Sequence, residues 1–148
     1  MMKEYVLGFL FSNDRERVAL IKKTRPAWQA GFLNGVGGKI ETGESPLQAM
    51  VREFHEEANF LHNDWTLFAT MTNSQFIVHC FKATTDLIDE VMTMTEEEVV
   101  VTFVDEIGVG LHTVIPNLHW LIPMALDDGF EPVTIKYLEA DKYTEPVK

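Results

Sequence analysis

Residues 38–60, GKIETGESPLQAMVREFHEEANF, constrain the fold more than any other stretch, because they encode a turn, a helix start and a helix stop in succession. Ser45-Pro46-Leu47-Gln48 has the capping-box order Ser-x-x-Gln, with proline at the first helical position, where its missing N–H leaves no bond unmade. The spacing predicts a helix beginning at Pro46. At about 100° per residue, Leu47, Met50, Val51, Phe54 and Ala58 fall on one apolar stripe, and Glu53, Glu56 and Glu57 cluster on another side. The helix is expected to stop near Ala58, because Asn59 is, after glycine, the residue best suited to the left-handed conformation of a C-terminal cap.

The three glutamates ask for a counter-charge. Within the helix only Arg52 offers one, and all three acids lie toward the C-terminal end, where the helix dipole disfavours anions by roughly 0.3–1 kcal/mol each. Two carboxylates about 5 Å apart repel by roughly 3 kcal/mol at an effective dielectric of about 20. A solvated charged face is the ordinary reading of a Glu-rich helix. Here a divalent cation with oxygen ligands, Mg²⁺ or Mn²⁺, accounts for the pattern better.

The segment resembles the Nudix box, Gly-x5-Glu-x7-Arg-Glu-U-x-Glu-Glu-x-Gly-U, where U is a bulky aliphatic or similar residue. Gly38, Glu44, Arg52, Glu53, Phe54, Glu56, Glu57 and Phe60 match it, and Asn59 stands where the family has its second glycine. The resemblance implies an α/β fold, a Nudix-type α/β/α sandwich with a mixed β-sheet flanked by helices. It also implies hydrolysis inside the diphosphate of a nucleoside diphosphate joined to a further group. By position, Glu53, Glu56 and Glu57 would hold the metal with help from the backbone carbonyl of Gly37, Arg52 would orient Glu53, and Glu44 would brace the loop against the helix. A metal ion that acidifies water and neutralises phosphoryl charge leaves the protein mainly a positioning task. The general base stays open between Glu53, Glu56 and the acidic run Thr95-Glu96-Glu97-Glu98, from which Glu98 is taken as the candidate; the alternative for that run is a solvated loop.

The run Leu33-Asn34-Gly35-Val36-Gly37-Gly38-Lys39 is similar to the Asn-Gly-x-Gly-Gly-Lys stretch of Nudix members that clear oxidised purine nucleoside triphosphates. That likeness makes Asn34 the leading base reader, since an amide offers both donor and acceptor to a purine edge; an Asx turn before glycine is the competing reading. The segment from Pro116 to Pro123 is similar to the aromatic stretch lining the base pocket in the same subgroup. It brings in Trp120 as a stacking candidate, against a core role, and Asn117, which with Leu118 replaces the acidic residues the family uses there. Trp28, in the loop before the box, has the same ambiguity. Lys22, Lys23 and Arg25 are the cations available for terminal phosphates, with Lys23 and Lys39 taken as the candidates. The expected substrate is thus a nucleoside triphosphate, possible oxidised purines included. The alternatives are ADP-ribose, a nucleotide sugar or a dinucleotide and, from another class, a catalytically silent nucleotide-binding module.

Two other phosphate cradles are excluded by counting. A Walker A loop would need glycine at Leu33 and Ser or Thr at Ile40, and a dinucleotide fingerprint starting at Gly35 would need glycine at Ile40. The run Gly35-Val36-Gly37-Gly38 instead reads as backbone that must approach a metal or phosphate closely. A net charge of −11 argues against a nucleic-acid polymer as partner. No apolar run approaches the ~20 residues of a membrane span, and one cysteine, Cys80, fits a reducing compartment; a cytoplasmic protein without membrane partners is expected, for which a homodimer is an allowed assembly.

The 148 residues read as one domain, with a charged tail expected to fray from Glu139. Strand patterns are predicted at 5–11 and 18–23, joined by a Ser-Asn-Asp-Arg turn, then at 35–40, 65–71, 75–83, 99–104 and 133–137. A second helix is expected from Pro116 to Leu126, kinked or ended by Pro123, with Asp127-Asp128-Gly129 closing it.

Overall fold

Strand β1 (Lys3–Ser12) organises the molecule, and in the computed structural model, which describes residues 2–139, it is buried continuously from Val6 to Ser12. A run apolar on both sides of the pleat suits only a strand covered on both faces. Its turn into β2 (Arg17–Lys22) is built by Asp14, whose carboxylate accepts from the Ser12 hydroxyl at 2.6 Å and the Glu16 N–H at 3.0 Å. Arg15 takes a left-handed conformation there (φ 64°), a cost offset by guanidinium bonds to the Leu126 carbonyl and Asp128.

The sheet also contains β3 (Leu33–Asn34), β4 (Val36–Lys39), β5 (Thr66–Thr72), β6 (Phe76–Thr85), β7 (Val99–Phe103) and β8 (Val133–Lys136). Its order is β3-β2-β1-β6-β5-β8, with β4 on β1 and β7 on β2. The β1–β6 and β5–β8 pairs are parallel and the rest antiparallel, so the sheet is mixed as expected. Helix α1 (Pro46–Ala58) covers one face, packing Met50, Phe54 and Ala58 against Val6, Leu10, Ile21 and Val36. Complete burial of Met50 and Phe54 is worth about 1.5–3 kcal/mol each. Helices α2 (Val104–Gly108) and α3 (Leu118–Leu126) lie over the other face, where Leu118, Leu121 and Ile122 meet Leu7, Phe9 and Phe68.

The capping box forms as read: Ser45 Oγ accepts from Gln48 N–H at 3.1 Å, and Gln48 Oε1 accepts from Ser45 N–H at 2.9 Å. Asn59 ends α1 in the left-handed region (φ 52°, ψ 39°), its N–H bonded to the His55 carbonyl at 3.0 Å. One residue of the stripe departs from expectation. Leu47, on the first turn, is 41% exposed, and Ala49 takes the buried place beside Met50. Pro123 does not end α3; it sits inside a helix running to Leu126. An internal proline costs about 3 kcal/mol, and burial of Leu118, Leu121 and Ile122 at about 1.5–3 kcal/mol each outweighs it. The helix starts at Leu118 rather than Pro116, and strand 99–104 stops at Phe103 because Val104 opens α2, which carried no periodic signal at five residues. Glu139 is not loose: it accepts from the Ser74 N–H at 2.9 Å and from its hydroxyl. The rest of the expected tail lies outside the described residues.

Candidate functional site

Helix α1 faces strand β4 with its acidic side, and the capping box and left-handed stop fix where each glutamate falls. Arg52 is the hub of the outer flank. Its Nε and Nη2 grip Glu44 bidentately at 2.6 and 2.9 Å, Nη1 donates to Glu53 and Glu56 at 3.1 Å each, and Nη2 reaches the Lys39 carbonyl at 3.1 Å. Glu44 also accepts from the Glu41 N–H at 2.9 Å, which ties the preceding loop to the helix. The Arg52 bonds hold the Glu44 carboxyl below its ordinary range, and Glu44 first among its partners raises Arg52.

The inner flank is different. Burial pushes the Glu53 carboxyl upward, with Arg52 pulling the other way. Glu57 is pushed up to about 7, by burial first and then by the Glu53 charge; Lys23 and the Gly37 N–H oppose this. Its Oε2 is buried and has no hydrogen-bond partner. The glycines explain how the strand comes this close. A Cβ on Gly38 would collide with the Glu53 carboxylate, and one on Gly37 would collide with the Val6 carbonyl across the β1–β4 ladder. The close approach read from the glycine run is therefore to a neighbouring carboxylate and to backbone.

The expected trio does not form a ready-made cage. Among the described residues no three acidic or imidazole side chains converge on one point, and Glu56, half exposed, turns to Arg52. Like charges draw together only around a counter-charge, and here the guanidinium supplies it for Glu53 and Glu56. Glu57, with a bare buried oxygen and a carboxyl already hard to ionise, suits a hard divalent cation with oxygen ligands, and Glu53 and the Gly37 backbone are beside it.

The acidic run lies just ahead of β7, and its members have different surroundings. Glu97 turns inward, 8% exposed, and its charge reaches Glu57. Glu98, the residue taken as the catalytic candidate, points the other way, into a groove of about 290 Å³ with Lys22, Leu33 and His112; the structure does not bring it to the α1 glutamates.

Of the substrate-contact candidates, Asn34 spends its Oδ1 on the Gly35 N–H at 2.8 Å, which leaves its amide N–H groups without a bond among the described contacts. Asn117 donates to the Tyr137 hydroxyl at 3.1 Å while its Oδ1 is buried and unpartnered. The two asparagines ride on joined backbone, because Leu33 N–H bonds the Thr113 carbonyl and Ile115 N–H bonds the Leu33 carbonyl, each at 2.9 Å. Nothing in the sequence signalled that pairing. Lys23 sits next to Glu57 and Glu97, Lys39 is exposed at the end of β4, and Trp120 is 40% exposed on α3 rather than in the core.

The NUDIX domain family profile matches residues 2–133. The chain belongs to the Nudix hydrolase family, whose members generally use divalent metal ions. A curated relative, the 8-oxo-dGTP diphosphatase of Escherichia coli K12, is 34% identical over 68 residues, which are 46% of this chain; the chain spans about half (53%) of that relative's length. Among solved structures, a chain from a study of MutT of Aliivibrio salmonicida and Vibrio cholerae superposes with a TM-score of 0.68 at 20% identity, covering 85% of this chain and 98% of that one. The Nudix domain of Shewanella oneidensis NrtR, solved with ADP ribose, gives 0.68 at 19% identity over 84% and 86%. A MutT protein of Bacillus halodurans gives 0.68 at 19% identity over 92% and 90%. These likenesses bear on the fold, which is the mixed-sheet Nudix arrangement. No helix among the described residues is long and apolar enough to cross a membrane.

Proposed function

We propose that the chain is a Mg²⁺-dependent diphosphatase that cleaves a nucleoside triphosphate, with oxidised purines such as 8-oxo-dGTP among the candidates, into a nucleoside monophosphate and pyrophosphate. One observation carries the reading. Among the described residues three buried side-chain polar atoms lack a partner, and two of them are Glu57 Oε2 and Asn117 Oδ1. A bare buried oxygen costs about 1–3 kcal/mol, so these two oxygens favour a bound group that supplies the missing partner. A cation answers Glu57, and a donor on a nucleobase edge answers Asn117.

A bound divalent cation would supply water activation and charge neutralisation at the phosphoryl group. Glu57 and Glu53 would hold it, with the Gly37 backbone and Glu56 completing the set. Arg52 would keep Glu53 aimed, and Glu53 or Glu56 would take the proton from the attacking water. Lys23 and Lys39 would meet the outer phosphates, and Asn34 and Asn117 would read the base from their joined segments. Trp120, exposed on α3, is available for stacking. A cytoplasmic setting fits the single buried thiol, Cys80.

A panel of ordinary and oxidised nucleoside triphosphates, assayed with and without Mg²⁺, tests this: pyrophosphate should appear only with the ion. The likeness to an ADP-ribose-bound Nudix domain motivates a second reading, cleavage of ADP-ribose or a related dinucleotide. Two monophosphate fragments from such a substrate, with no pyrophosphate from any triphosphate, would establish it instead.

A further inference from the structure

We propose that Glu97 is a positioning residue: its carboxylate fixes Lys23 and the start of the 24–32 loop beside the α1 glutamates, and it takes no proton in the reaction. Both of its oxygens are already committed. Oε1 accepts from the Lys23 ammonium at 3.2 Å, and Oε2 accepts from the Thr24 N–H at 2.8 Å and the Thr24 hydroxyl at 3.2 Å. A general base needs a free lone pair within reach of the attacking water, and this buried carboxylate has three donors on its roughly four lone-pair sites, with Oε2 fully occupied and Oε1 held by the Lys23 ammonium.

The backbone around Glu97 gives the arrangement its purpose. Residues 91–98 form a strap anchored at one end on α1, where Met92 N–H bonds the Ala58 carbonyl at 2.9 Å and Met94 N–H bonds the Glu57 carbonyl at 3.3 Å. At the other end Thr95 Oγ1 accepts from the Glu97 N–H at 3.1 Å, and Lys22 N–H bonds the Glu98 carbonyl at 2.8 Å. The strap therefore runs from the carbonyl of one glutamate of the α1 edge to the cation that faces it. Lys23 in turn closes the base of the 24–32 loop, exchanging bonds with Phe32 and Gly31 at 2.8 Å each, and that loop carries the exposed Trp28. Burial opposes ionisation of Glu97, but the Thr24 N–H and Lys23 outweigh it and hold the carboxyl below its ordinary range. It stays charged, and so keeps its grip on the ammonium.

This inference rests on the diphosphatase reading for what Lys23 and the loop meet, namely the substrate's phosphates and base. The test compares Glu97→Ala and Glu97→Gln with the full chain in Mg²⁺. With the best nucleotide substrate, Glu97→Ala should raise KM about tenfold while kcat stays within about threefold and the pH profile of kcat keeps both limbs. Glu97→Gln, whose amide oxygen can still accept from Thr24, should raise KM only about threefold. A fall in kcat of about 100-fold in Glu97→Gln, or loss of the acidic limb, would overturn the proposal and make Glu97 a proton acceptor or metal ligand. Amide hydrogen exchange gives a readout free of turnover. In Glu97→Ala the Thr24 amide should exchange about tenfold faster while the α1 amides keep their rates; an unchanged Thr24 rate would refute the latch, and uniform acceleration would reduce it to general loosening. If the parent protein cleaves no nucleotide, the functional reading fails while the exchange result still decides the latch.

Discussion

The acidic edge of α1 has two flanks that differ in how their charge is satisfied. On the outer flank Arg52 binds Glu44, Glu53 and Glu56 at 2.6–3.1 Å, so every carboxylate there has a donor. On the inner flank Glu57 is buried with one bare oxygen, and its nearest positive charge, Lys23, is shared with Glu97. Glu56 and Glu57 are adjacent in sequence. The outer flank is a saturated network, whereas the inner one keeps a buried carboxyl oxygen without a donor, at a cost of about 1–3 kcal/mol.

Substitution of Glu57 should have the largest effect and would break the contrast if it did not. Glu57→Gln is expected to lower kcat/KM by about 100-fold or more, while Glu56→Gln lowers it by about tenfold, because Glu56 is half exposed and already paired. Equal losses would show that the two flanks act as one cage. Next comes Arg52→Lys, which keeps the charge but loses the two-pronged grip on Glu44. It should cost about 1–3 kcal/mol in denaturant unfolding and reduce activity about tenfold as Glu53 loses its aim.

The pH dependence sharpens the same comparison. The folded Glu57 carboxyl titrates near 7, above its ordinary value of 4.5, so between those values the folded chain holds the extra proton. Stability of the metal-stripped protein should therefore fall as pH rises from about 4.5 to about 7 and then level off. Thermal melts in chelator should show that decline, Glu57→Gln should flatten it, and added Mg²⁺ should raise the melting temperature most at the alkaline end. The smallest effect belongs to the helix start. Ser45→Ala should cost about 1 kcal/mol of stability and leave kcat/KM unchanged, since the cap sets where α1 begins and does not touch its acidic edge.

Legibility followed the range of the interactions. The start, stop and acidic edge of α1 could be read because a capping box, a left-handed asparagine and an i, i+3, i+4 spacing act within a few residues. The apolar stripe is legible except at Leu47, which is exposed on the first turn. The burial of Glu97 and the exposure of Glu98 could not be read, because they depend on bonds to Lys22, Lys23 and Thr24, more than 70 positions away in the chain. Asn34 and Asn117 each stand out in the sequence, but their shared backbone ladder depends on Leu33 meeting Thr113 and Ile115.

What the sequence determined by itself is the helix that carries the glutamates and the glycines that let β4 lie against them, since both follow from local backbone and steric rules. Only the tertiary structure decided which carboxylate would keep one buried oxygen without a donor. Burial and partner supply are properties of surroundings assembled from distant strands, so Arg52 finished one flank while the packing of β4 and the 91–98 strap closed over Glu57.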